Sequence, residues 1–155
     1  MSMNGKPLVA ITMGDPAGVG PEVTAKALAN QWVYERCRPF VIGSATAMED
    51  AHRLIGAPAS TRVGHELCGI AGQYGTVDVL DLENLDYGSV AQGKVSAAAG
   101  KASMEWVLKA SELATSGAVK AIVTAPINKE ASRLAGYEDI GHMEVFQRQS
   151  GAKEV

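Results

Sequence analysis

The chain has 155 residues, of which 46% are hydrophobic and only 5% aromatic, and its formal net charge is −3. A chain of this length forms one domain with an aliphatic core, and its mixed charges provide no basic surface for nucleic acid or an anionic membrane. No apolar segment approaches the length of a membrane span. Cys37 and Cys68 stand alone, and the N-terminus lacks the apolar run of a signal peptide, so the sequence predicts a cytoplasmic protein with free thiols.

A turn rich in glycine and proline follows the first predicted strand. The strand is the apolar run at 8–13, and the turn is Gly14–Glu22, with the sequence GDPAGVGPE, before a predicted helix at 23–28. Pro21 suits the first position of a helix, and the carboxylate of Glu22 complements the positive end of the helix dipole there. Corners of this kind bind ligands in many α/β enzymes, because free backbone N–H groups converge on them.

The turn matches no standard nucleotide-binding signature. Its glycines at 14, 18 and 20 do not fit the dinucleotide fingerprint, and no Gly-Lys-Ser/Thr follows as in a Walker A loop. A purely structural turn is the alternative interpretation. Asp15 argues against a simple phosphate cradle and favours a hydroxyl, an amine or a metal-linked water as ligand. Candidate lining residues of a cleft are therefore Gly14, Asp15, Gly18 and Gly20.

Two structural expectations follow for this turn. Its backbone N–H groups are expected to face an open pocket at the ligand cleft. Gly18 is expected to need a positive φ, which a β-branched residue disfavours. A valine at that position is therefore expected to disturb the turn.

The rest of the chain alternates between predicted strands and helices. The predicted elements are strands 40–43, 77–82 and 121–125, helices 45–55, 95–116 and 128–134, and a last helix that opens at 141–146. Residues 57–76 have the weakest pattern. The long helix has alanine at most positions of its apolar face, so it is expected to lie close to its neighbour. This order predicts an α/β fold with a mostly parallel sheet and helices on both faces.

Ligands of such sheets bind beyond the carboxyl ends of the strands. Three segments are expected there: the glycine-rich turn, residues 124–129 and residues 141–144. Lys129 comes soon after a predicted strand, and its ammonium group can reach an anionic substrate, although a solvated helix lysine is the commoner case. His142 stands at a predicted helix start, where a lone histidine is as often a cap or a core residue as a functional one.

The remaining potential metal ligands form no recognised pattern. His52 lies among polar neighbours on a predicted helix and is expected to be exposed. His65, Glu66 and Cys68 lie close together in an irregular segment, and their spacing matches no known metal site. The sequence therefore predicts no metal site within this chain.

Three motifs resemble the 4-hydroxythreonine-4-phosphate dehydrogenase family. They are ITMGDPAGVGPE at 11–22, TAPINK at 124–129, and Gly136 followed by GHME at 141–144, in the family's order and at about its spacing. The resemblance covers the whole chain but only about the first half of the family's length. It implies an isopropylmalate-dehydrogenase-like fold, in which residues 1–155 are a single α/β unit and the N-terminal half of a two-domain dehydrogenase.

The resemblance also implies an activity. Such enzymes use NAD or NADP to oxidise the secondary hydroxyl of 4-hydroxythreonine 4-phosphate or a related four-carbon acid, such as threonate or erythronate 4-phosphate. In the pyridoxine (vitamin B6) branch, which leads to pyridoxal phosphate, the 3-keto product then loses CO2. A divalent metal, zinc, magnesium or cobalt, polarises the hydroxyl and the developing carbonyl oxygen. The family implies a homodimer with the active site close to the subunit boundary.

Two departures from the family's pattern limit what is carried over. The family's Gly-His-Thr-Glu motif contacts the substrate through its His and Thr, and His142 and Met143 occupy those positions here. Met143 has no hydroxyl to donate, which leaves the threonate and erythronate phosphates open as substrates. The family's metal-binding histidines and most cofactor contacts lie beyond Val155, and none of His52, His65 and His142 matches a metal-ligand position. The chain by itself is therefore expected to be inactive.

Two other functions remain open. The first is a non-catalytic α/β module that serves binding or assembly. The second is a decarboxylating dehydrogenase of the isopropylmalate type. The turn disfavours the second, because Pro16 and Ala17 stand between Asp15 and Gly18 where those enzymes have a single glycine.

Overall fold

The computed structural model describes residues 5–138 and 141–153. Within them the chain forms one parallel sheet and six helices of four residues or more. The strands are β1 (Leu8–Thr12), β2 (Arg38–Ile42), β3 (Ser60–Gly64), β4 (Thr76–Leu80) and β5 (Ala121–Thr124). The helices are α1 (Gly20–Leu28), α2 (Gln31–Arg36), α3 (Ala45–Ile55), α4 (Ala97–Thr115), α5 (Lys129–Leu134) and α6 (His142–Ser150). Short 3-10 helices lie at Leu67–Gly69 and Tyr87–Ser89.

The five strands are all parallel and lie in the order β3-β4-β2-β1-β5. At the carboxyl end of β1, which lies between β2 and β5, Thr12 is in register with Ile42 on one side and Thr124 on the other. Strand β2 is buried along residues 39–42, as expected for a strand covered on both faces. The prediction of a parallel α/β sheet is confirmed.

Helices cover both faces of this sheet. The connections from β1 to β2 and from β2 to β3 cross the sheet in one direction, and the connection from β4 to β5 crosses it in the other. Because such crossovers are right-handed, α1, α2 and α3 lie on one face and α4 lies on the other. The contacts agree: α1 packs on α3, and α4 packs on α5 and α6.

Polar side chains cap three of the helices at their first turns. The hydroxyls of Ser44 and Ser96 accept from the backbone N–H groups of Ala47 and Ala99, at 3.3 and 3.1 Å, and so begin α3 and α4. Asn128 begins α5 in the same way. Each cap satisfies an N–H group that the helix itself cannot pair.

Close packing of α4 depends on a small residue. A Cβ at Gly100 would overlap the carbonyl group of Ala131 in α5, so the two backbones approach closely at this point. This contact confirms the expectation that the alanine-rich helix lies close to its neighbour. Farther along α4, Trp106 is fully buried, and its indole N–H donates to Asn84 at 3.0 Å.

The sequence-based element assignment missed α2 and β3. Strand β3 has the sequence STRVG, and most of its side chains are exposed because it lies at the edge of the sheet. It therefore lacks the apolar pattern of a buried strand. Its pairing with β4 and an ion pair between Arg62 and the buried Asp78 hold it in place.

The expected exposure of His52 is wrong. The residue is 4% exposed, and neither ring nitrogen has a hydrogen-bond partner among the described residues. It follows Met48 by one helical turn, on the face of α3 that is packed into the protein. Burial therefore lowers the pKa of the imidazole, although Glu49 opposes part of the shift.

No helix in the described part of the chain combines the length and apolarity that crossing a lipid bilayer requires.

Candidate functional site

The carboxyl ends of β1 and β5 form the natural ligand crevice of this sheet. The two strands are neighbours, but the chain leaves them in opposite directions. After β1 it enters α1 on one face, and after β5 it enters α5, which packs on α4 at the other face. Parallel sheets bind ligands at such a switch point, because the diverging connections leave a gap between them.

The structure brings the two predicted segments after these strands into direct contact. The backbone N–H of Asp15 donates to the carbonyl of Pro126 at 2.8 Å, and that of Ala125 donates to Thr12 at 3.0 Å. Gly14 has a φ of 76°, and a Cβ there would overlap the same Pro126 carbonyl oxygen. Glycine is therefore required at this position both by its backbone conformation and by the approach of the second turn.

The Asp15 carboxylate organises the turn from inside. The residue is only 8% exposed, and its Oδ1 accepts from the N–H of Ala17 at 2.9 Å. Its carbonyl oxygen accepts from the N–H of Gly18 at 3.1 Å. Asp15 thus forms an Asx-turn, in which a side-chain oxygen takes the place of a backbone acceptor.

These bonds occupy three of the backbone N–H groups that the turn was expected to offer to a pocket. The N–H groups of Asp15, Ala17 and Gly18 all donate within the protein. A phosphate cannot pair with them without displacing existing bonds. The Asp15 carboxylate takes one of these donors, that of Ala17, and backbone carbonyl groups take the other two.

The other two glycines of the turn serve different purposes. The expectation of a positive φ at Gly18 is wrong, because within the turn that conformation belongs to Gly14. Gly18 is exposed and borders a surface cavity of about 530 Å³ between α1 and α3. Gly20 is buried, and a Cβ there would overlap the carbonyl of Met13, so it lets the start of α1 approach the end of β1.

Lys129 begins α5, directly after its cap. The side-chain oxygen of Asn128 accepts from the N–H groups of Glu130 and Ala131 at 3.0 and 3.1 Å. Lys129 is exposed, and among the described residues its ammonium group has no hydrogen-bond or ion-pair partner. The ammonium group of Lys129 is therefore accessible on the carboxyl side of β5.

His142 is the first residue of α6 and is half-buried. Its Nε2 is buried without a hydrogen-bond partner in the described part of the chain, and its ring stacks on Phe146 with 6.3 Å between centroids. Burial lowers the pKa of the imidazole, and the Glu144 carboxylate opposes part of that shift. The imidazole is therefore neutral at physiological pH, and its buried Nε2 is unpaired among the described residues.

Helix α6 is held on α4 rather than on the glycine-rich turn. Val145 is buried against Met104 and Val107 of α4. Met143, one residue after the histidine, is 53% exposed. Across residues 5–138 and 141–153, no hydrogen bond joins His142 or Lys129 to the turn, so the structure unites the two turns but not these two side chains with them.

Sequence reasoning missed one segment of the site, residues 87–93. Gln92 and Gly93 donate hydrogen bonds to the carbonyls of Pro16 and Ala17 in the glycine-rich turn. The sequence feature that could have indicated this segment is a glycine just before the long helix. Gly93 has a φ of 72°, which favours glycine at that position.

No metal site is present among the residues described. They contain no group of three or more His, Cys, Asp or Glu side chains that could hold an ion. His65 lies 3.3 Å from the carbonyl oxygen of Asp81, and the Cys68 thiol lies 3.5 Å from the Glu66 carboxylate. These residues do not form the metal site that the family resemblance implies.

Comparison with known proteins gives one family. The family model described as "Pyridoxal phosphate biosynthetic protein PdxA" matches residues 35–155. A D-threonate 4-phosphate dehydrogenase of Cupriavidus necator is 40% identical over 149 residues, which is 96% of this chain and 44% of the relative.

Solved structures agree with that match. The crystal structure of a 4-hydroxythreonine-4-phosphate dehydrogenase from Burkholderia phymatum has a TM-score of 0.92 and 40% identity, over 97% of this chain and 46% of its own. The corresponding enzyme structure from Klebsiella pneumoniae has a TM-score of 0.89 and 34% identity, over 98% of this chain and 46% of its own. The chain therefore spans about half the length of the proteins that it matches.

The contact between the two turns predicts a specific cost for substitution of Gly14. Gly14→Ala is expected to lose clearly more stability than Gly136→Ala, which shares a positive φ but has open space around it. The control loses only the strain of a left-handed residue, about 1–2 kcal/mol, whereas Gly14→Ala adds the overlap with Pro126. Urea unfolding of both variants measures the difference, and equal losses would contradict the contact.

Burial of the His142 imidazole predicts a stability that depends on pH. Its pKa in the folded chain lies below the ordinary value of about 6.5, so the unfolded chain binds a proton that the folded chain does not. The free energy of unfolding is therefore expected to be full above that ordinary pKa and to fall as the pH drops below it.

Urea unfolding at pH 7.5 and at pH 5.5 tests this expectation. His142→Gln should show a smaller loss between the two pH values than the parent chain. His52 contributes in the same direction and should account for part of the remainder. A variant with the parent's full pH dependence would show that His142 is not the group responsible.

Proposed function

The chain belongs to the PdxA family of pyridoxal phosphate biosynthetic proteins, and from that premise we propose that it is the N-terminal half of a two-domain dehydrogenase. The proposed reaction oxidises the secondary hydroxyl of a four-carbon phosphorylated hydroxy acid with NAD or NADP. The observation that carries the proposal is the meeting of two family motifs, the turn after β1 and the turn after β5, at the switch point of the sheet.

D-threonate 4-phosphate is the substrate that we favour within this class. The Cupriavidus necator relative has that activity in its name. Met143 stands where the 4-hydroxythreonine-4-phosphate enzymes are expected to have a threonine, and its exposed side chain cannot donate a hydrogen bond. Met143 therefore leaves the substrate open by itself, and the name of the relative favours D-threonate 4-phosphate over the 4-hydroxythreonine and erythronate 4-phosphates.

The residues of this chain are proposed to bind and orient the substrate. When bound, the nicotinamide would supply the hydride acceptor for the hydroxyl-bearing carbon, and the hydroxyl proton would be released to water. The neutral imidazole of His142 can hydrogen-bond a substrate hydroxyl, which would satisfy a buried nitrogen that the described protein leaves unpaired. The ammonium group of Lys129 is accessible to attract the phosphate or carboxylate.

We propose that the metal ligands and most cofactor-binding residues lie outside the described residues. The resemblance places them in the family's second half, and the described residues contain no ligand group for a metal ion. Residues 1–155 alone are therefore proposed to bind substrate weakly and to lack turnover. We also propose a cytoplasmic location, for which the free thiols of Cys37 and Cys68 are the support.

We propose that the protein is a homodimer in solution. Strand β5 is an edge strand in the described structure, and its Val123 side chain is 52% exposed. Leu134 of α5 and Met143 of α6 are also large, exposed apolar side chains on the elements that follow β5. Edge strands with exposed apolar side chains are normally covered in stable proteins.

An assay of nicotinamide reduction tests the proposed function. The protein as its gene encodes it is supplied with a divalent metal, NAD or NADP and each of the three acid phosphates, and residues 1–155 alone are the comparison. We expect metal-dependent reduction that is fastest with D-threonate 4-phosphate, and none from residues 1–155. Activity of residues 1–155 alone would contradict the half-enzyme proposal, and no activity in any form would favour a binding or assembly module.

The same assay separates binding from folding at His142. His142→Ala should raise KM for the acid phosphate roughly tenfold, the value of about one lost hydrogen bond to a ligand, with a small change in Tm. Arg133→Ala is the control, because Arg133 is exposed at the far end of α5 from Lys129. A large fall in Tm with unchanged KM would make His142 a structural residue.

Light scattering tests the association proposal. Purified residues 1–155 should scatter as a dimer or larger species at tens of micromolar. Val123→Lys should shift the population toward monomer, because a charge at an edge strand opposes pairing. Val63→Lys is the matched control, because Val63 is also exposed and lies on the opposite edge strand β3. A clean monomer for residues 1–155 would contradict association through this edge strand.

A further inference from the structure

The glycine-rich turn is held by a loop that is distant in sequence. The side-chain nitrogen of Gln92 donates to the carbonyl of Pro16 at 3.2 Å, and the N–H of Gly93 donates to the carbonyl of Ala17 at 2.8 Å. The loop thus binds two successive carbonyl groups at the tip of the turn. The base of the turn has a different anchor, the bond from Asp15 to Pro126 beyond β5.

The orientation of Gln92 is determined by its partners. The carbonyl of Pro16 can only accept, so the amide nitrogen rather than the oxygen must face it. The same nitrogen lies 3.1 Å from the hydroxyl of Tyr87, which therefore accepts. Burial and the nearby Asp50 raise the pKa of that phenol, so it remains neutral and keeps a proton to donate.

The loop owes its own shape to few contacts. A 3-10 turn begins at Tyr87, and Gly93 adopts a φ of 72° in open space, since a Cβ added there would meet no described atom within 4 Å. Residues 91–95 are exposed, so no packed core holds them. The left-handed conformation of Gly93 is what directs its N–H toward Ala17.

We propose that residues 87–93, here named the turn clamp, set the position of the glycine-rich turn for ligand binding, with Gln92 and Gly93 as positioning residues. They hold Pro16 and Ala17, next to Gly18 at the edge of the cavity, and the side of the clamp formed by Tyr87 and Gln92 lines the same cavity. The functional part of this inference rests on the proposed dehydrogenase function, and the structural part does not.

Amide hydrogen exchange tests the clamp without any need for activity. Gly93→Ala is compared with Gly117→Ala, because Gly117 is also exposed, has a φ of 75° and has no described atom within 4 Å of an added Cβ. The two variants should lose similar Tm. Exchange at Ala17 and Gly18 should become roughly 2- to 10-fold faster in Gly93→Ala only, as expected for the loss of one hydrogen bond. Equal exchange at those amides in both variants would overturn the clamp.

Steady-state kinetics then test its role in binding, on the protein as its gene encodes it. Gln92→Leu keeps the side chain's bulk and removes its donor. Gln31→Leu is the control, since Gln31 is exposed on α2 and its side chain bonds only Glu35 within the described part of the chain. We expect KM for the acid phosphate or the nicotinamide to rise roughly 2- to 10-fold in Gln92→Leu with kcat within about twofold, because a misplaced turn weakens substrate and transition state alike.

The outcomes separate the two proposals. Faster exchange in Gly93→Ala together with an unchanged KM in Gln92→Leu would overturn the positioning role and leave only a structural loop. A similar rise of KM in Gln31→Leu would likewise overturn it. Absence of turnover in the parent protein would contradict the proposed function, and in that case the exchange comparison alone decides whether the clamp exists.

Discussion

The contact between the Gly14 turn and the Pro126 turn is the constraint on which the rest of the site depends. Its short distances are possible only because Gly14 has no side chain and adopts a positive φ. The bond from Asp15 to Pro126 continues the pairing of β1 with β5 beyond the last strand residues. The bottom of the crevice at the switch point is therefore formed by backbone groups of both turns.

Side chains of the site are placed by a second layer of close packing. Gly100 allows α4 and α5 to touch through their backbones, and Val145 anchors α6 on the same long helix. Lys129 and His142 begin the two helices that α4 supports. Bulkier side chains on α4 would move both helix starts, and with them the two proposed substrate-binding residues, away from the sheet.

The proposed site contains groups of different charge. The Asp15 carboxylate accepts from the N–H of Ala17, and the Asp15 carbonyl accepts from the N–H of Gly18. In the proposed site, positive charge comes from Lys129 and a neutral hydrogen-bonding group from the partly buried His142. This division suits a substrate that carries both hydroxyl and anionic groups, since each is met by a different kind of partner.

The sequence by itself determined the parallel α/β architecture, the small-residue contact of α4 and the segments that meet at the crevice, because apolar periodicity and glycine–proline turns are local signals. Only the tertiary structure decided which glycine has the positive φ, that His52 is buried, and that β3 is an edge strand. It also revealed the bonds from residues 92–93 to the turn. Each of these depends on groups far apart along the chain, whose contacts no local pattern records.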